Sequence, residues 1–88
     1  MNSLFINLKK DSSYTEEEKK IILSIIQAME DIKSARRCFE MARDPRLVDY
    51  AIYSEEAAKA KYMYFLVQAR NKNIKINYNY MIKELNIV

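Results

Sequence analysis

Four groups of side chains in this sequence are of the types from which chemistry is built. Glu16, Glu17 and Glu18 form an acidic run, while Glu30, Asp31, Glu55 and Glu56 form a carboxylate set split between two segments. Cys38 is the single thiol, and Arg36, Arg37, Arg43 and Arg46 crowd one short stretch. Paired carboxylates suit metal binding or acid–base work, a thiol beside Arg37 suits nucleophilic chemistry, and clustered guanidinium groups suit phosphate. Each group also has a plainer account. Adjacent residues on a helix point in different directions, so the three glutamates read as a helix start. Helical carboxylate metal sites use Glu-x-x-His pairs, and the chain contains no His. Cys38 has no resolving cysteine and reads as a small side chain at an interface edge. Glu40, Asp44 and Asp49 lie among the four arginines and dilute their field.

The absences are more decisive. The 88 residues include no Gly, His or Trp. Phosphate loops and dinucleotide fingerprints need glycine, because they require φ > 0 and close backbone approach. Without histidine, and with one cysteine, zinc sites of the usual kinds and Ser-His or Cys-His couples cannot be assembled. No catalytic residue, metal site or cofactor site is expected, and the chain reads as a non-enzyme. A lone cysteine cannot form an intramolecular disulfide, and nothing at the amino terminus reads as a secretion signal, so a cytoplasmic protein is expected. The apolar run Ile21 to Ile26 is far short of the roughly 20 residues that span a bilayer. The net charge of +3 is spread along the chain, with no polybasic arm. Ile, Lys, Asn and Tyr are all abundant and all have AT-rich codons, which weakens seven tyrosines as a sign of stacking.

The elements that must carry these residues follow from local signals. Residues 1–14 read as a flexible arm with a short apolar patch at Leu4, Phe5, Ile6 and Leu8. Thr15 followed by Glu18 has the spacing of a capping box, and three glutamates suit the positive end of a helix dipole. From there Ile25, Ala28, Ile32, Ala35, Phe39 and Ala42 recur in steps of three and four, a heptad-like stripe in which alanine permits close helix approach. Asp44-Pro45 ends this helix and begins the next, since proline disfavours helical geometry before it and is welcome at the first helical position. The first helix is expected over about 15–43 and the second over about 45–71, with essentially no linker between them; their matched lengths favour an antiparallel hairpin over 15–74.

The second helix carries two apolar arcs. One holds Leu47, Val48, Ala51, Ile52, Ala58, Tyr62, Phe65, Leu66 and Ala69; the other, roughly opposite, holds Tyr50, Tyr53, Ala57, Ala60, Tyr64 and Val67. A helix with a single neighbour needs only the first. Glu55 lies on the first arc, and the hairpin sets it opposite Lys33, with Arg36 one turn away, as a partly buried ion pair fixing register. In 75–88, Ile76, Tyr78 and Tyr80 alternate with polar residues like a strand, whereas Tyr78, Ile82 and Leu85 fit one helical face. A short third helix near 78–86 is expected, because a lone strand would have nothing to pair with.

The segments Asp44-Pro45-Arg46-Leu47-Val48-Asp49-Tyr50-Ala51-Ile52-Tyr53 and Ala57-Ala58-Lys59-Ala60-Lys61-Tyr62-Met63-Tyr64-Phe65-Leu66, with Ala69-Arg70 and the preceding Ala28, Asp31, Ala35 and Phe39, resemble the YaaL-like family of small Gram-positive bacterial proteins. The resemblance runs from Ile22 to Ile74 and leaves the opening arm and the end beyond Lys75 outside. It implies a small, cytoplasmic, helical protein of unknown function with no established cofactor, and it transfers no functional residue.

The expectation is therefore an all-α antiparallel helical hairpin, coiled-coil-like in spacing, that completes its core by self-association as a homodimer. Its function is expected to be a protein–protein interaction or structural role. The interaction face would be Tyr50, Tyr53, Ala57, Ala60, Tyr64 and Val67. The competing reading is weak nucleic-acid binding through Arg36, Arg37, Arg43 and Arg46 at the hairpin tip, or through Lys72 and Lys75 with the tyrosines of the tail.

Overall fold

In the computed structural model the described residues are 14–76. They form two helices, α1 (Glu16–Met41) and α2 (Pro45–Asn71), packed antiparallel as a hairpin. Among the described residues there is no strand. The expected third helix near 78–86 and residues 1–13 of the expected arm lie outside the described residues. Tyr14, the last residue of that arm, is half-buried, and its hydroxyl donates to the Lys75 carbonyl.

Each helix starts where its side chains satisfy the backbone. Thr15 Oγ1 accepts from the Glu18 amide at 3.1 Å, and Glu18 Oε1 accepts from the Thr15 amide at 2.8 Å, a reciprocal capping box. At α2, Asp44 Oδ1 accepts from the Arg46 amide at 2.8 Å, and Pro45 takes the first helical position, where no amide is needed. The turn differs from expectation in one respect. α1 stops at Met41, Ala42 is already extended (ψ 135°), and Asp44 is extended ahead of proline (ψ 130°). Ala42 to Asp44 is thus a true three-residue connection, because the restriction that Pro45 places on its neighbour must be met before the helix can restart.

The end of α2 is built without glycine. Asn73 adopts a left-handed conformation (φ 56°), the Ile74 amide donates to Ala69 O at 3.0 Å, and the Asn73 amide donates to Arg70 O at 3.0 Å. Those two bonds define a Schellman motif, with asparagine in the position glycine usually fills. The accompanying apolar contact is present too, since Ile74 and Ala69 are both buried.

Four cross-helix polar contacts set the register: Tyr14 to Lys75, Glu17 to Lys72, Asp31 to Lys61 and Arg36 to Glu55. Within this register the small Ala28 and Ala58 are buried in the same cluster as the larger Ile32 and Tyr62. The resulting core is concentrated toward the open end of the hairpin. Ile21, Ile22, Ile25, Ile26, Ala28, Met29 and Ile32 cluster with Ala58, Tyr62, Leu66, Ala69 and Ile74, while Tyr14, Leu23, Phe65 and Ile76 pack against them. Toward the tip the core thins to Ala35 and Ala51.

Three residues expected on the buried stripes are therefore half in solvent: Phe39 is 49 % exposed, Leu47 45 % and Ile52 44 %. Near the tip only one helix faces each of them, and a side chain away from the contact line has nothing above it. At the open end, Tyr14, Ile74 and Ile76 supply that extra cover.

The αL position of Asn73 predicts a graded response to substitution. Asn73→Ala should cost about 1 kcal/mol in urea unfolding, the penalty for an ordinary residue in that conformation. Asn73→Gly should match or exceed the parent stability.

Candidate interaction surface

Because 3.6 residues make a turn, the α2 face opposite α1 is set once Ala51, Ala58, Tyr62, Leu66 and Ala69 turn inward. That face is Tyr50, Tyr53, Ala57, Ala60, Tyr64 and Val67, and every one of the six is exposed. Tyr53 is 72 % exposed and Tyr64 57 %. Tyr64 is held in place: its ring meets Phe65 edge-on at 5.1 Å, and its hydroxyl accepts from Gln68 Nε2 at 2.8 Å. An open groove of about 360 Å³ adjoins this face between the helices, walled by Ser34, Ala35 and Cys38 on one side and Tyr50, Ser54 and Ala57 on the other. Cys38 is half-buried in that wall.

The charged residues do not gather into a cradle. Arg36 turns into the helix interface, where its Nε lies 3.4 Å from Glu55 Oε2, and Lys59 Nζ approaches the same oxygen at 2.9 Å. Glu55 therefore meets Arg36 across the hairpin, the ion pair expected one turn from Lys33. The Lys59 hydrogen bond, aided by Lys59 and Arg36 charge and opposed by partial burial, holds the Glu55 carboxyl below its ordinary value of 4.5. Arg46 is committed to Asp44, with Nε to Oδ1 at 3.1 Å and Nη2 to Oδ2 at 2.9 Å, which lowers the Asp44 pKa. Lys72 lies at the opposite end of the molecule, 2.8 Å from Glu17, and lowers the pKa of that carboxyl. Arg37, Arg43 and Lys75 are exposed. The tip and tail cations are thus far apart, and Arg36, Arg46 and Lys72 each lie on a carboxylate.

Of the other carboxylates, Glu18 is the capping residue and Asp31 bonds Gln27 and Lys61. Among the described residues no group of three Cys, Asp or Glu side chains could hold a metal ion. Two polar atoms that periodicity alone does not single out are buried without a hydrogen-bond partner, Glu30 Oε1 and the Tyr62 hydroxyl. Burial raises the Tyr62 pKa above 10.0, with the charge of Arg70 acting the other way. The signal is a tyrosine inside an arc whose other members, Glu55 apart, are Ala, Leu, Val, Ile and Phe, where a hydroxyl has few partners to reach.

A two-helix hairpin with its core at the open end, an apolar outer face and no convergent catalytic groups among its described residues defines a class of small helical protein. The chain belongs to the family described as protein of unknown function (DUF2508), whose model matches residues 4–76; the family is usually called YaaL-like. The match extends past the Ile22–Ile74 resemblance at both ends, from Leu4 to Ile76. No curated protein and no solved structure matches the chain.

Two titrations follow from these environments. Because the Glu55 pKa is lower folded than unfolded, its contribution is complete above the ordinary carboxylate range and is lost as pH falls through the lowered value. Glu55→Gln should cost ~0.5–1 kcal/mol at neutral pH, and the gap from the parent should close under acid conditions in urea titrations. For Tyr62 the raised folded pKa means stability is complete below 10.0 and declines as pH rises beyond it. Tyr62→Phe should remove that alkaline decline and leave neutral stability equal or up to about 1 kcal/mol higher, since an unsatisfied hydroxyl is deleted.

Proposed function

We propose that this chain is a small cytoplasmic interaction or structural module without catalytic activity, working through the outer face of α2. The observation that supports this reading most is the exposure of Tyr50, Tyr53, Tyr64 and Val67 on one helical face directly behind the core-facing one. Aromatic side chains bring large apolar area at small entropic cost and are enriched where proteins meet. Nothing about this face suits turnover, because it is convex and lacks an acid–base pair. Among the described residues no helix is long and apolar enough to cross a membrane. The competing nucleic-acid reading loses support from the ion pairs at Arg36, Arg46 and Lys72, which compete with phosphate for the same groups.

The test is a comparison of the parent with a Tyr53→Glu, Tyr64→Glu double variant. Both positions are exposed, so circular dichroism should be nearly unchanged while protein contacts, recovered after nuclease treatment, are lost. Contacts that survive the double variant would refute the assignment of the face. Submicromolar, salt-sensitive binding to a labelled oligonucleotide would replace the reading with the nucleic-acid one.

A further inference from the structure

The outer face of α2 has a period as well as a composition. Tyr50, Tyr53, Ala57, Ala60, Tyr64 and Val67 follow one another in strictly alternating steps of three and four, the spacing of a coiled-coil seam, and all six are exposed. An apolar residue placed singly on a surface needs no explanation, but an unbroken seam over five such steps is a surface shaped for another helix.

We infer that the occupant is a second copy of the same helix, packed antiparallel about a twofold axis between Ala57 and Ala60. This rests on the outer face being an interaction surface and specifies its partner. In this register Tyr50 meets Val67, Tyr53 meets Tyr64, and Ala57 meets Ala60 of the other copy. The two alanines fall at the axis, where close approach is needed, and the aromatic residues fall to either side. The same register sets Asp49 of each copy across from Arg70 of the other, two opposite-charge pairs generated by one symmetry operation. Both residues are exposed at the border of the seam. Antiparallel packing also opposes the two helix dipoles.

The experiment uses the full chain with Cys38→Ala, carrying either Tyr53→Cys or Tyr64→Cys. In the antiparallel register these two positions face each other, whereas each lies roughly 16 Å along the axis from its own counterpart. Disulfides require Cα atoms within about 7 Å. Mild oxidation of the mixture should therefore give the mixed disulfide, and neither variant alone should cross-link. Sedimentation equilibrium of the parent should report a dimer. Asp49→Lys and Arg70→Glu should each weaken it roughly five- to twenty-fold, and the two together should restore it. Restoration separates a contact across the dimer from a role of Arg70 within the hairpin.

Disulfides between like positions would overturn the antiparallel register, and so would charge variants that do not rescue each other. A monomer at all accessible concentrations would overturn self-pairing. If such a monomer still lost protein contacts through Tyr53→Glu and Tyr64→Glu, the surface assignment would stand and only the identity of the occupant would fall.

Discussion

The hairpin depends on one seal: Ile25, Met29 and Ile32 of α1, each almost wholly removed from solvent, closed against the alanine-spaced face of α2. Burying a side chain of this size contributes roughly 1.5–3 kcal/mol, whereas an exposed ion pair contributes ~0–1 kcal/mol. The cross-helix pairs of Glu17, Asp31 and Glu55 lie around the core and not inside it, since none of these three residues is itself buried. They select which turn of α1 lies against which turn of α2, and the apolar seal supplies the stability. Alanine makes the seal possible. Ala28 and Ala58 are buried in the same cluster as Ile32 and Tyr62, and small side chains there permit a close helix approach.

A consequence for the surface follows directly. α2 spends one face on α1, which is sufficient for a two-helix packing, so a second apolar face has no structural use within the described hairpin. The residues of that face contribute little to holding α2 in place, and they are free to be selected for what they touch. The same separation applies to charge. The tip arginines are spent locally, Arg46 on the cap of α2 and Arg36 on the interface, and a run that looks basic in one dimension becomes two ion pairs and two solvated side chains in three.

What was legible in the chain was whatever is decided within a few residues. Thr15 and Glu18 cap each other because they are three apart, and Asp44-Pro45 breaks the helix because the ring of Pro45 constrains its immediate neighbour. The inner and outer arcs of α2 follow from helical period, so the composition of the candidate surface could be read directly. The end of α2 near residue 71 was expected, but the manner of its closure was not, because the usual sign of a Schellman motif is glycine, and here Asn73 serves. Nor was the exposure of Phe39, Leu47 and Ile52, since periodicity shows which way a side chain points and not whether anything stands opposite. The pairing of Glu55 with Arg36 was legible to within a turn, because Lys33 and Arg36 are neighbours on one helical face and both side chains are long.

The unequal distribution of that core also governs how the chain must fold. In many hairpins the turn forms first and the arms zip away from it, each new contact short-range. Here the segment around Ala42, Arg43 and Asp44 holds few apolar contacts, while Ile25 and Leu66, some forty residues apart in sequence, sit in the centre of the seal. Contacts between such residues close a long loop, at an entropic cost that grows as about (3/2)RT ln n. Truncating side chains at the open end would then slow folding, and truncating those at the tip would chiefly hasten unfolding. The turn is thus the part of the hairpin that the apolar seal holds least.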